Sequence, residues 1–168
     1  PIRPERLMAD LEAILTPEHI VCADASYSSI WVCNGLKSRR AGQRFLTPRG
    51  MAGLGWGLPM AMGAKIARPD APVFCLAGDG GFAHVWSELE TAKRLGTHLV
   101  LVVLNNEILG YQKHAELARY GAHTDAIAFK PVDHAMVAEA AGCRGVRITD
   151  PNDFAGALDE AFAMTDCI

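Results

Sequence analysis

The sequence predicts an α/β domain built on a doubly wound, mostly parallel sheet with helices on both faces. Three observations lead there. Apolar runs of strand length at residues 20–23, 73–77 and 98–104 alternate with helical patterns, which gives βαβ units joined by right-handed crossovers. The third run is apolar almost without interruption, as suits a strand covered on both faces. Polar residues and glycines follow the second and third runs at Gly78 and Asn105, where a sheet of this kind presents its ligand-binding edge.

In chain order, residues 4–15 carry Leu7, Met8, Leu11, Ile14 and Leu15 at helical spacing and stop near Pro17. The short strand at 20–23 ends at Asp24. Ser26-Tyr27-Ser28-Ser29 then caps a helix expected from about Ile30, with free N–H groups turned outward. A brief strand at 44–46 is broken by Thr47-Pro48-Arg49-Gly50. Gly53, Gly55 and Gly57 precede a helix running to about Ala67; their spacing permits close approach to a bulky group or tight helix packing. After the strand at 73–77, residues 82–95 read as one helix with Val85, Trp86, Leu89 and Ala92 on one face. Beyond the strand at 98–104 come a short helix at 109–118, a loop at 120–129 and a helix at 131–141. A strand at 145–148 and a helix at 153–163 complete the reading.

The 168 residues suffice for one α/β core, and residues 1–168 read as a single domain. With 50% hydrophobic and 21% charged residues the chain is globular and not disordered. A net charge of -3 offers no field for nucleic acid or an anionic membrane, and no run approaches the roughly 20 apolar residues of a membrane span. Cys22, Cys33, Cys75, Cys143 and Cys167 are scattered without a CxxC pair, which favours buried thiols in a reducing cytoplasm. Pro1 in place of Met, and the end at Ile168, lead to the expectation of a piece of a longer polypeptide.

The chemistry concentrates at Gly78-Asp79-Gly80-Gly81 and Asn105-Asn106, with residues 81–104 between Gly80 and Asn105. If the two preceding strands are parallel neighbours, Asp79 and Asn106 reach one edge. The glycines expose N–H groups at a helix start, a place for an anion. A carboxylate beside a phosphate repels it unless a cation lies between, and magnesium takes oxygen ligands shared between protein and phosphate. Asn106 adds a neutral oxygen. A rival uses the same residues: Gly78-Asp79-Gly80-Gly81-Phe82-Ala83 fits the relaxed GxGxxG/A dinucleotide fingerprint of an NAD-binding dehydrogenase domain. The second strand ends in Asn105-Asn106 and not in the acid that such a site uses for the ribose.

Gly-Asp-Gly followed at this spacing by Asn-Asn resembles the C-terminal diphosphate-binding domain of thiamine-diphosphate enzymes. The resemblance extends to the Ser26 region, residues 50–59, Ser87-Glu88-Leu89-Glu90-Thr91-Ala92 and residues 105–111, and is nearest the acetolactate synthase, benzoylformate decarboxylase and pyruvate oxidase group. It implies a thiamine-diphosphate-binding fold and a magnesium ion held by Asp79, Asn106 and the carbonyl of Ile108. Gly78 would open the turn whose Gly80 and Gly81 donate N–H groups to the diphosphate, together with Ser26, Tyr27 and Ser28. Leu54 would be the wedge that bends the cofactor, with Ala52 and Gly53 against its pyrimidine and Gly110 and Tyr111 along it.

The resemblance further implies a lyase or transferase that decarboxylates 2-oxo acids or joins the product to an acceptor. The catalytic glutamate of that family lies in a separate pyrimidine-binding domain, from the same or a neighbouring subunit, in a homodimer or homotetramer. This chain alone is then expected to be inactive. Glu88 and Glu90 follow the glycine turn and read as solvated or structural. Acetolactate synthases carry a tryptophan after the Asn-Asn loop where this chain has Ala115, which leaves a non-carboligating decarboxylase as an alternative. Gln112 and His114 could face substrate, with a proton-shuttling role for His114 or His84 set against the plainer one of exposed helical histidines. His98 reads as structural.

Overall fold

The computed structural model describes residues 2–164. Four parallel strands, β1 (Ile20–Ala23), β2 (Phe45–Leu46), β3 (Val73–Gly78) and β4 (Val100–Leu104), form one sheet in the order β2-β1-β3-β4. The strand order therefore reverses between β1 and β3, the position at which open α/β sheets bind ligands. Side chains alternate between faces. On one face, Ile20, Cys22, Val73 and Cys75 pack against α3 (Gly57–Ala67) and α5 (Glu88–Leu95) through Leu58, Ala61, Leu89 and Ala92. On the other, Val21, Ala23, Phe74 and Leu76 meet α1 (Pro4–Ile14), α2 (Tyr27–Gly35) and α8 (Phe154–Ala163) through Leu7, Leu11, Val32, Phe154 and Leu158. Helices on both faces explain why β1 and β3 are apolar without alternation.

Several boundaries differ from expectation. Helix α2 starts at Tyr27 and not near Ile30, because Ser26 adopts φ 72° and turns the chain straight out of β1. Its side chain makes no capping bond; instead Ser29 Oγ donates to the Ser26 carbonyl at 3.0 Å. The helix expected over 82–95 is two pieces, α4 (Asp79–Phe82) and α5. Between them His84, Val85, Glu88 and Leu89 donate to carbonyls three residues back, so the chain tightens and re-aims Leu89 and Ala92 at the sheet.

The expected strand at 145–148 is irregular. Gly145 is pressed on the Ala135 backbone, where a Cβ would sit 2.1 Å from the carbonyl oxygen, and Arg147 pairs with Asp133 at 3.3 Å. Both contacts tie the segment to α7 (His134–Ala140) and leave the outer side of β4 unpaired among the described residues. β4 itself begins at Val100, α7 at His134 rather than Pro131, and the helix expected at 109–118 is α6 (Gly110–Tyr120). The loop at 120–129 contains a 3-10 turn at Asp125–Ile127 and a bridge between Ile108 and Ala128.

Cys22, Cys75 and Cys143 are buried and Cys33 is exposed; Cys167 lies outside the described residues. Burial pushes the Cys22 thiol up to about 12, and Cys75 is raised by burial and by the charges of Cys22 and Asp24. No described helix is long and apolar enough to cross a membrane.

Candidate functional site

The register Ala77↔Val103 and Gly78↔Leu104 places the ends of β3 and β4 side by side, so Asp79 and Asn106 leave the sheet together. Asp79 is buried. Its Oδ1 accepts from the Gly80 N–H at 2.8 Å, and its Oδ2 accepts from the Asn106 and Glu107 N–H groups at 3.2 and 2.6 Å. The carboxylate thus joins two strand tips through main-chain donors alone. Three of its roughly four lone-pair positions are used, which leaves room for a cation. Asn106 is exposed, and its Oδ1 accepts weakly from the Ile108 N–H at 3.3 Å. The bridge beside Ile108 uses the Glu107 and Ile127 carbonyls, not that of Ile108. Carboxylate, amide and carbonyl oxygens form a donor set that fits a hard cation such as magnesium.

The glycine turn is a cradle that side chains would fill. A Cβ on Gly80 would fall 2.5 Å from Leu109 Cδ2 and 3.1 Å from the Phe129 ring; one on Gly81 would fall 2.1 Å from Asp24 Oδ2. Across the edge lie Ser26, Tyr27 and Ser28, with Ser28 buried. Tyr27 hydroxyl is hydrogen-bonded to His114 Nδ1, and its ring meets the Tyr111 ring edge-on at 5.7 Å. Gly110 fits between the Asn106 amide and the Tyr27 ring. Ser26, Tyr27, Ser28, Leu54, Gly78, Asp79, Gly80, Gly81, Asn106, Ile108 and Gly110 line one cleft of about 1170 Å³. That exceeds an ordinary ligand pocket of roughly 300–1,000 Å³ because it continues along the open side of β4. Ala52, Gly53 and Tyr111 stand outside its lining, the first two on the loop that carries Leu54.

Among the described residues, the only non-glycine residues with positive φ are Ser26, Ala52 and Glu107, at 72°, 50° and 59°. All three lie in loops at the carboxyl edge of the sheet. Such strain persists only where surrounding contacts fix it, and it gathers at functional sites.

Two residues escaped the sequence reading. Asp24, at the β1 tip, is 1% exposed and takes N–H groups from Ala25, Gly55 and Trp56 at 2.8, 3.0 and 3.1 Å. Gly57 packs on it so closely that a Cβ would lie 2.9 Å from the Asp24 Cβ, which is what that glycine is for. His134 lines the cleft with its ring edge-on to Phe82 at 5.7 Å. Burial lowers its pKa against the opposing charges of Asp79 and Asp133. His84 is exposed beside Gly55, and His98 contacts the Ala161 carbonyl at 3.1 Å, at the other end of β4 from Asn106. Glu90 is exposed and paired with Arg94; Glu88 is half-buried.

Fold and edge together define a doubly wound α/β domain with a glycine turn and an oxygen-donor pair at the carboxyl edge of its sheet, beside the switch point. The chain belongs to the family described as thiamine pyrophosphate enzyme, C-terminal TPP binding domain, whose model matches residues 24–167. That membership sets the dinucleotide reading aside. The chain is 30% identical over 167 residues to a probable acetolactate synthase large subunit of Methanococcus aeolicus, covering 96% of this chain and 28% of that protein. It is 33% identical over 141 residues to acetolactate synthase isozyme 2 large subunit of Escherichia coli (strain K12), covering 83% and 26%. In structure it resembles the thiamine diphosphate-dependent 4-hydroxybenzoylformate decarboxylase of Rhodococcus jostii RHA1, with a TM-score of 0.90, 26% identity, and coverage of 99% and 31%. The chain therefore spans under a third of the length of each of these relatives.

Proposed function

We propose that this domain holds the diphosphate end of thiamine diphosphate through magnesium, in a 2-oxo acid decarboxylase or carboligase of acetolactate synthase type. The observation that carries the reading is the Asp79 carboxylate, bonded at once to the glycine turn and to the Asn106–Glu107 tip. Asp79, Asn106 and the Ile108 carbonyl would hold the metal. The N–H groups of Gly81 and of the Ser26–Ser28 turn would hold phosphate oxygens, since helix starts leave such donors unpaired, and the Gly80 N–H, taken by Asp79 Oδ1 at 2.8 Å, would have to be shared with them. Leu54 would press on the middle of the cofactor, with Ala52 and Gly53 near its pyrimidine and Gly110 and Tyr111 along its flank.

When bound, the cofactor would supply a ring carbon that is nucleophilic once deprotonated and an electron sink for the decarboxylation of a 2-oxo acid. The chain's own part is to bind, bend and shield it. Met51, Trp56 and Tyr111 are 99%, 61% and 53% exposed around this edge, and we assign them to the face on which a pyrimidine-binding domain with the catalytic glutamate docks, from the same or a neighbouring subunit. A homodimer or homotetramer in the cytoplasm completes the proposal.

The test is calorimetric titration of the full-length protein with thiamine diphosphate. Binding is expected with magnesium and lost in excess chelator; chelator-insensitive binding overturns the metal assignment. A decarboxylase that does not ligate is the second reading, favoured by Ala115, exposed on α6 where acetolactate synthases carry a tryptophan. Product analysis with pyruvate and with arylglyoxylates separates the two: a hydroxy-oxo acid marks ligation, an aldehyde marks simple decarboxylation.

A further inference from the structure

We infer that Asp24 is a positioning residue, which sets Leu54 against the cofactor by fixing the loop that follows it. This rests on the proposed thiamine diphosphate site and deepens it. Asp24 lies at the β1 tip, on the opposite side of the switch point from Asp79, and is the more deeply buried of the two. A buried carboxylate is costly unless donors surround it. Three main-chain N–H groups surround it: Ala25 and Trp56 on Oδ1, Gly55 on Oδ2.

The loop so held also rests through Gly55 on His84 and Val85, and before that point its backbone is unusual. Gly50 and Gly55 have φ of 80° and 89°, Ala52 is at 50°, and Met51 is almost fully exposed. Leu54 is the residue just before the two donors. The same carboxylate lies under the glycine cradle, where Gly81 can carry no Cβ because Asp24 Oδ2 occupies the space. One side chain therefore sets the separation between the cradle for the diphosphate and the leucine that bends the cofactor. Its removal leaves Asp79, Asn106, Gly80 and Gly81 in place and releases Leu54. Diphosphate affinity and cofactor bending become separable.

Asp24→Asn is the informative variant, because it keeps an acceptor for Ala25 and Trp56 but turns an amide N–H toward the Gly55 N–H. Two readouts are used. In cofactor-free protein, trypsin cleavage after the exposed Arg49 reports loop release, and a rate rise of about tenfold is expected for a lost bond to a charged group. In full-length protein with magnesium, exchange of the cofactor C2 proton should slow by about tenfold or more while affinity changes far less. Leu54→Ala should slow exchange too, and the double variant should be no slower than Leu54→Ala alone, as expected of two residues acting through one contact.

Additive slowing, unchanged exchange, or a parallel fall of exchange, affinity and apo melting temperature overturns the positioning role. Wild-type protein that binds no thiamine diphosphate overturns the proposed function itself, and the positioning role with it. Should Asp24→Asn fail to fold, Trp56→Pro removes one donor at a backbone angle near that of proline, φ −84°, and leaves the carboxylate intact. It should slow exchange in the same direction; unchanged exchange counts against the proposal.

Discussion

At the β1 tip, Asp24 gathers N–H groups from Gly55 and Trp56; at the β3 tip, Asp79 gathers them from Asn106 and Glu107. Each carboxylate also takes the N–H of the residue after it. Both are buried, and among the described residues their hydrogen bonds come from main-chain N–H groups, so peptide dipoles compensate the charge. The difference lies in what remains. Asp24 is closed over by Gly57 and Gly81, while Asp79 opens on the cleft beside the exposed Asn106. The same device makes one carboxylate a strut and the other a strut with an oxygen to spare.

The largest effect is expected at the Asp79 tip. Asp79→Ala deprives three main-chain donors of their acceptor at once, and should lower apo stability by roughly 1–3 kcal/mol as well as abolish magnesium-dependent cofactor binding. The structural share distinguishes it from a residue that only binds metal. Denaturant titration of the apo protein checks it: an unchanged midpoint makes Asp79 a ligand only, and the likeness of the two tips fails.

Next in size is Gly81→Ala, which drives a methyl group into Asp24 Oδ2. Overpacking of this kind costs roughly 1–3 kcal/mol. Gly63→Ala, at a site with nothing within 4 Å, is the control and should leave the melting temperature unchanged or raised. Equal effects at the two glycines would mean that Asp24 moves aside easily and holds nothing.

The sequence shows one tip and hides the other. Asp79 and Asn106 are legible because glycines and a second asparagine flank them in a fixed order. Asp24 sits in Ala-Asp-Ala, and its partners at 55–56 reach it only once β1 and β3 have paired and α3 has docked. The strands at 20–23 and 73–77 were readable since burial on both faces leaves an apolar run. The supposed strand at 145–148 failed for the converse reason: propensity does not reveal that Gly145 and Arg147 are claimed by α7. Likewise, the break between α4 and α5 follows from packing under the 53–56 loop, which no local pattern at 82–88 records.

Between the tips, Ser26 stands at φ 72° and ψ -145°, a region that favours glycine. Ser26→Gly should relieve that strain and raise apo stability by about 1 kcal/mol. Thermal melting measures it. If stability falls instead, the Ser26 side chain holds the β1–α2 turn and the strain argument is wrong at that position.

The smallest effect contrasts the polar edge with the opposite end of the sheet, where His19 is buried below β1. Its Nδ1 is bonded to Thr16, its Nε2 has no partner among the described residues, and its ring lies edge-on to Phe162 of α8 at 4.8 Å. Burial lowers its pKa from 6.5, with Glu18 and the Thr16 bond opposing; His134 is lowered for a similar reason. An unfolded chain takes up these protons as pH falls below 6.5, whereas the folded chain resists. The unfolded state therefore binds more protons, and stability is full above pH 6.5 and lost as pH falls through the lower folded values. Apo denaturation midpoints at pH 7.5, 6.5 and 5.5 should fall in that order. His19→Gln should flatten the slope in part, leaving the share of His134; a midpoint that rises on acidification has the wrong sign for buried neutral histidines.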